Sequence, residues 1–179
     1  MPDLAQRRDP LDRHAVVNQR GKITIAPAAP RTRHVLRGSE AVATAVGSAF
    51  GLALPMTLNT ASVDGDKAAF RLGPDEWLLL GGTFSGIDTA EPFSLVEVSN
   101  RNTAITVSGS VAADVLNAHV MLDLDPAAFP VGMATRTLFT KAEIVLWRTG
   151  PTAFHIEVWR SFAEYVFGLL GEAAREHLK

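Results

Sequence analysis

The five histidines, His14, His34, His119, His155 and His177, are the first residues to ask for chemistry, and no two of them stand at metal-ligand spacing. The chain has no cysteine, which removes thiolate zinc sites, iron–sulfur clusters, disulfides and cysteine nucleophiles together. Asp123 and Asp125 alternate across Leu122 and Leu124 and share a face of any extended segment. A carboxylate pair can do acid–base work, but here it precedes Pro126, where capping and turn formation explain it as well. Asp64 and Asp66 flank a glycine without the terminal glutamate of a calcium loop. No nucleophile elbow, phosphate-cradling loop or dinucleotide fingerprint occurs. By residue chemistry alone this is a domain without an active site, so the catalytic and cofactor-binding sets are expected to be empty.

Arginines are the remaining candidates. Residues 1–38 carry a net charge of +5 and residues 39–179 a net charge of −7. Residues 21–38 hold Lys22, Arg31, Arg33 and Arg37 with no acid, while Pro27 and Pro30 keep the stretch extended. A basic extension on an acidic body touches something acidic, either its own domain or a partner. Nucleic acid is the poorest choice, since the segment lacks aromatic rings to stack on bases. Arg31 and Arg33 are therefore expected at a partner interface. Arg101, in a turn between strands, and Arg160, ahead of a helix, join them on the same reasoning. The competing reading leaves all four as solvated or internally packed residues. Trp77, Trp147 and Trp159 fall in strands and are read as core or sheet-face packing. His119 follows a helix and suits its carboxyl end.

The elements that must position these residues read as strands in pairs with three intercalated helices, hence an antiparallel α+β domain. Residues 1–33 are expected to form a basic arm and residues 34–179 the body. Within the arm, residues 22–26 read as a short strand, and Val16 and Val17 as its anchor. Ser39 caps a first helix whose apolar residues Ala41, Val42, Ala45, Val46, Ala49 and Phe50 recur with the 3.6 period, ended by Gly51. Residues 93–99 and 103–107 are expected to pair through a turn at residues 100–102. Ser110 is expected to cap a second helix. Residues 121–132 read as irregular, and residues 148–151 as a hairpin turn. Ser161-Phe162-Ala163-Glu164 has the form of a capping box for a third helix that carries Phe162, Tyr165, Val166, Leu169, Leu170 and Ala173 on one stripe, with Phe162, Val166 and Leu169 expected to face the sheet. No internal repeat at a fixed short period is visible.

A chain of 179 residues with 47% apolar and 20% charged composition can bury roughly 70% of its unfolded surface without staples. No apolar run is long enough for a membrane span, and the amino-terminal residues have no signal-peptide core. A cytoplasmic protein is expected.

Four stretches add a resemblance. They are residues 72–80 (LGPDEWLLL), residues 96–101 (VEVSNR), Leu122-Asp123-Leu124-Asp125-Pro126 with Phe129-Pro130-Val131-Gly132, and residues 154–162 ending in Trp159-Arg160-Ser161-Phe162. In this order they resemble the gamma subunit family of heterotetrameric sarcosine oxidases over about residues 34–178. The resemblance implies a fold similar to the folate-binding domain of glycine-cleavage T proteins. It implies a non-catalytic, structural subunit of a complex that demethylates sarcosine to glycine, with hydrogen peroxide and 5,10-methylenetetrahydrofolate as products. It further implies alpha, beta and delta subunits as partners, with FAD, FMN, NAD and tetrahydrofolate on those partners. A stand-alone folate-binding or one-carbon transfer protein is the alternative, although no matching position supplies the carboxylates such an enzyme uses. An iron–sulfur maturation relative of the same fold would carry a lysine-glycine-cysteine motif, which a cysteine-free chain cannot.

Overall fold

The computed structural model describes residues 8–19 and 21–177. The first seven residues of the expected arm, Arg20 and the last two residues lie outside the described residues. Among the described residues, eleven strands form two antiparallel sheets. The six-stranded sheet orders β1 (Val17–Gln19), β2 (Ile23–Pro27), β8 (Asn102–Ser108), β11 (Ala153–Trp159), β10 (Ala142–Gly150) and β9 (Ala134–Phe139). The five-stranded sheet orders β4 (Ala61–Asp64), β5 (Lys67–Arg71), β6 (Glu76–Leu80), β3 (Arg33–Arg37) and β7 (Ser94–Glu97). Helix α1 (Glu40–Phe50) covers the outer face of the smaller sheet through Val42, Val46 and Phe50 against Leu36, Trp77 and Leu79. Helices α2 (Ala112–Asn117) and α3 (Ala163–Glu176) cover the outer face of the larger one. Between the sheets, Phe70, Leu78 and Leu80 meet Ala134, Val145 and Trp147. Both faces of the central strands are thus buried, which is why β6 reads Glu-Trp-Leu-Leu-Leu without alternation. The class is α+β with three helices, as expected.

The architecture repeats. Strands β3, β4, β5 and β6 with α1 correspond in order and pairing to β8, β9, β10 and β11 with α2. Gly38-Ser39-Glu40-Ala41 answers Gly109-Ser110-Val111-Ala112, and Arg71-Leu72-Gly73-Pro74 answers Arg148-Thr149-Gly150-Pro151, 77 residues on. The correspondence extends to bonding. Arg71 donates to the carbonyls of Gly73 and Pro74 and lies 5.0 Å from the Trp77 ring; Arg148 donates to those of Gly150 and Pro151 and lies 5.1 Å from Phe154. Where the halves meet, the bonds are reciprocal: Ala61 N–H donates to Gly132 O at 2.9 Å and Ala134 N–H to Asn59 O at 3.0 Å. The repeat escapes a search for short periods because its unit exceeds seventy residues and only a few positions are alike.

Several expectations change. The boundary at residues 33 and 34 falls inside β3, and β2 is an inner strand of the larger sheet with Ile23 and Ile25 fully buried. The described part of the expected arm is therefore built into both sheets. Gly109 shows how closely: at φ +131° its place for a Cβ is 2.1 Å from the Lys22 carbonyl oxygen, so no side chain fits. Of the expected anchors, Val17 packs on the core while Val16 is exposed. Strands β7 and β8 do not pair with each other; the turn between them crosses from one sheet to the other.

Ser39 caps α1 through the Val42 N–H at 3.2 Å, but the N-cap of α2 is Val111, which provides no side-chain cap. Ser161 does not cap α3 either. A 3₁₀ turn, Arg160–Phe162, precedes that helix and moves its start to Ala163. The buried stripe becomes Ala163, Val166, Phe167, Leu170, Ala173 and Ala174, while Phe162 is 37% exposed and Leu169 only partly buried. Leu170→Ala is expected to lower unfolding free energy by about 2–5 kcal/mol, and Leu169→Ala by clearly less, both read from urea midpoints.

Candidate functional site

Strand β11 alternates. Phe154, Ile156 and Val158 face the helices, so His155, Glu157 and Trp159 face the other sheet. A solvent-facing row would be unremarkable, but the second sheet covers His155 and Glu157 of it. The Glu157 side chain has no exposure at all. Its oxygens accept from Arg33 Nε at 2.5 Å and Arg33 Nη2 at 3.2 Å, a two-pronged pair, and Oε1 lies 2.8 Å from His155 Nε2. Arg33 Nη1 also donates to the Arg31 carbonyl at 2.9 Å, and its backbone N–H to Ser99 Oγ at 2.9 Å. Burial alone would raise the Glu157 pKa; the His155 hydrogen bond and charge and the Arg33 guanidinium outweigh it and hold the carboxyl below its ordinary range. A planar guanidinium suits this place because it meets both carboxylate oxygens at once.

Arg33 is thus a correction: it is 3% exposed and ties the two sheets together, so it does not lie on a partner-facing surface. The other three expected interface arginines are accessible. Arg31 and Arg160 line one depression of about 460 Å³ with Asp9, Asp12, Glu97 and Ser99. Arg160 donates to the Arg8 carbonyl, and its backbone N–H to the Arg101 carbonyl at 2.9 Å. Arg101 lies 6.0 Å from the centre of the Trp159 ring, which is 42% exposed. None of Arg31, Arg101 and Arg160 makes an ion pair among the described residues. Asp9 and Asp12 are engaged locally, Asp9 by the Thr103 hydroxyl at 2.7 Å and Asp12 by the Asp9 N–H at 2.9 Å.

The mouth of the gap between the sheets holds a second charged cluster. Glu76 takes Arg136 on one oxygen and Arg37 on the other, and Arg136 reaches Glu143 at 3.7 Å. The space left between the sheets beside Arg101, Glu157 and Trp159 is about 20 Å³, room for a water or two.

The other candidates are structural. Asp123 and Asp125 are exposed and accept from the N–H groups of Asp125 and Ala127, forming successive Asx turns. His119 rests 4.8 Å from the Phe139 ring. Trp77 is fully buried and donates to the Pro55 carbonyl at 2.8 Å, and Trp147 meets Phe70 between the sheets. No group of three or more potential metal ligands exists among the described residues, and none of their helices is long and apolar enough to cross a membrane. Sequence reasoning missed Arg148, which is buried and donates to Leu124 O at 3.0 Å and Phe129 O at 2.8 Å, fastening residues 124–129. Its signal was the Arg-x-Gly-Pro shared with Arg71.

Residues 37–176 match the sarcosine oxidase, gamma subunit family. The chain belongs to that family. It is 32% identical over 148 residues to the sarcosine oxidase subunit gamma of Corynebacterium sp. (strain P-1), covering 78% of this chain and 70% of the relative. It is 31% identical over 140 residues to the subunit of Corynebacterium sp. (strain U-96), covering 74% and 68%. In three dimensions it is similar to a chain of the heterotetrameric sarcosine oxidase from Corynebacterium sp. U-96 in complex with pyrrole 2-carboxylate, with TM-score 0.85, 28% identity and 97% of both chains covered. The aminomethyltransferase T of the glycine cleavage system from Bartonella henselae is similar in fold alone, with TM-score 0.56, 14% identity, 85% of this chain and 46% of that one.

Arg33→Ala leaves Glu157 buried beside His155 alone and is expected to cost about 3–5 kcal/mol in urea unfolding. The Glu157 pKa is depressed in the fold, so its share of stability is present above its ordinary value near 4.5 and is lost as pH falls through the lower folded value. His34 has the opposite chemistry: burial lowers its pKa against the pull of Glu97. The unfolded chain then binds the proton more tightly, so the His34 share of stability grows as pH rises towards 6.5. A stability profile from pH 3 to 8 checks both signs against the variants Glu157→Gln and His34→Phe.

Proposed function

We propose that the chain is the gamma subunit of a heterotetrameric sarcosine oxidase, with alpha, beta and delta subunits as its partners. In this reading the complex demethylates sarcosine oxidatively to glycine, with hydrogen peroxide and 5,10-methylenetetrahydrofolate as products, in the cytoplasm. The observation that carries the proposal is the likeness over 97% of both chains to a chain of such a complex, the expected outcome if the whole subunit is kept for one architecture.

The part of this chain in the complex is assembly rather than catalysis. Oxidation of an N-methyl amine requires an acceptor for two electrons, and capture of the released carbon requires a folate. The gap between the two sheets suits neither group. The ionisable side chains buried there, Arg33, Glu157 and His155, form one bonded chain through Glu157. The gap beside them keeps only about 20 Å³. FAD, FMN, NAD and tetrahydrofolate accordingly belong to the partner subunits in this proposal. The accessible arginines Arg31, Arg101 and Arg160, without carboxylate partners among the described residues, suit a docking surface.

Co-expression with the flavin-bearing subunits is expected to give one complex on gel filtration with this chain at one copy. The isolated chain is expected to be colourless, inactive with sarcosine and silent in calorimetric titration with tetrahydrofolate. Stoichiometric folate binding by the isolated chain overturns the assembly role in favour of a folate-binding protein.

A further inference from the structure

The two halves of the molecule differ at one edge. In the larger sheet the strand next to β8 is β2, and the outer edge of β2 is covered by β1 in the pairing Val17↔Ile25, Asn18↔Thr24, Gln19↔Ile23. In the smaller sheet β3 takes the place of β8 and β7 the place of β2. The place corresponding to β1, outside β7, is empty among the described residues. At the opposite ends the halves agree, since β4 and β9 are both terminal.

The free edge of β7 is suited to pairing. The Val98 N–H donates to the Arg33 carbonyl at 2.8 Å, which sets the phase of the ladder. By the alternation of an antiparallel pair, Ser94 and Val96 turn their N–H and C=O groups toward β3, and Leu95 and Glu97 turn theirs outward. No described backbone group meets them there. Of the devices that normally blunt an edge, Ser94-Leu95-Val96-Glu97 has neither proline nor lysine; its shortness and the Glu97 charge are what it retains. Apolar surface flanks it, with Val96 52% exposed on the face toward the other sheet and Phe93 40% exposed on the α1 side. At its end Glu97 borders the depression that holds Arg31 and Arg160.

We propose that the outer edge of β7 receives a β-strand from another subunit of the oxidase complex, completing the sheet as β1 does in the other half. The added strand runs antiparallel to β7, places apolar side chains beside Phe93 and Val96, and brings a carboxylate to Arg31 and Arg160. Main-chain hydrogen bonds supply the affinity, and these side-chain contacts supply the choice of partner. The inference rests on the proposed membership of the complex.

Proline at position 97 tests it, because that N–H points away from β3 and its loss spares the native ladder. In the complex reconstituted from co-expressed subunits, Glu97→Ala is expected to assemble like the natural chain, since it keeps the N–H. Glu97→Pro is expected to weaken assembly about tenfold or more while its melting temperature stays within about 3 °C of that of Glu97→Ala. Hydrogen exchange adds a reading that needs no variant: the Leu95 and Glu97 amides are expected to slow about a hundredfold on assembly. Glu97→Pro assembling normally, or unchanged exchange at both amides, overturns the proposal. Concentration-dependent dimers of the isolated chain that Glu97→Pro abolishes would overturn it too, by assigning the edge to a second copy. Failure of the unaltered chain to enter any complex overturns the proposed function itself, and is told apart because the unaltered chain is measured first.

Discussion

A carboxylate with no exposure cannot stay ionised in a protein interior without a partner, and Glu157 takes its partner from the opposite sheet. That need couples the two halves of the chain. Arg33 comes from β3 and Glu157 from β11, 124 residues apart, so the pair closes only when both sheets are formed and stacked. Around it the layer is apolar, with Phe70 against Trp147 and Leu78 and Leu80 beside Val145. Hydrophobic contact supplies the bulk attraction; the two-pronged ion pair fixes how the sheets are placed, because a guanidinium and a carboxylate meet well in few orientations.

The repeated β-α-β-β-β unit explains features that look idiosyncratic alone. Arg71 and Arg148 stand at the same step of their hairpins, cover an aromatic ring of the next strand, and donate to the carbonyls of the following Gly-Pro turn. Each also reaches into the irregular segment that precedes the edge strand of its own half, Arg71 to Met56 O and Arg148 to Phe129 O. Carbonyls gathered around each guanidinium satisfy its buried donors, alone for Arg148 and together with the Glu40 carboxylate at 2.7 Å for Arg71, which keeps the two loops closed over their sheets. The halves also differ at the inner face. Leu78 and Leu80 of one half stand where His155 and Glu157 stand in the other.

Surface charge follows from this interior arrangement. Arg33 is consumed by the sheet interface and Arg37 by Glu76 and Asp75, so the basic segment keeps Arg31 as its cation at the depression beside Arg160. The +5 of the first 38 residues is therefore not one positive strap.

Local signals determined what local physics controls. The 3.6 period and the Ser39 and Gly51 caps placed α1, and the Gly-Pro turns placed the β5–β6 and β10–β11 hairpins. The alternation in β11 put His155 and Glu157 on one face, yet nothing within the strand told whether that face met water or another sheet. Tertiary structure decided that, together with the burial of Arg33, the separation of β7 from β8 into different sheets, and which part of the apolar stripe of α3 is covered: Leu170 and Ala173 are buried while Phe162 and Tyr165 stay exposed. Strand partners and buried charge pairs depend on segments a hundred residues away. Periodicity reports which residues share a face; only the assembled layers determine what that face meets.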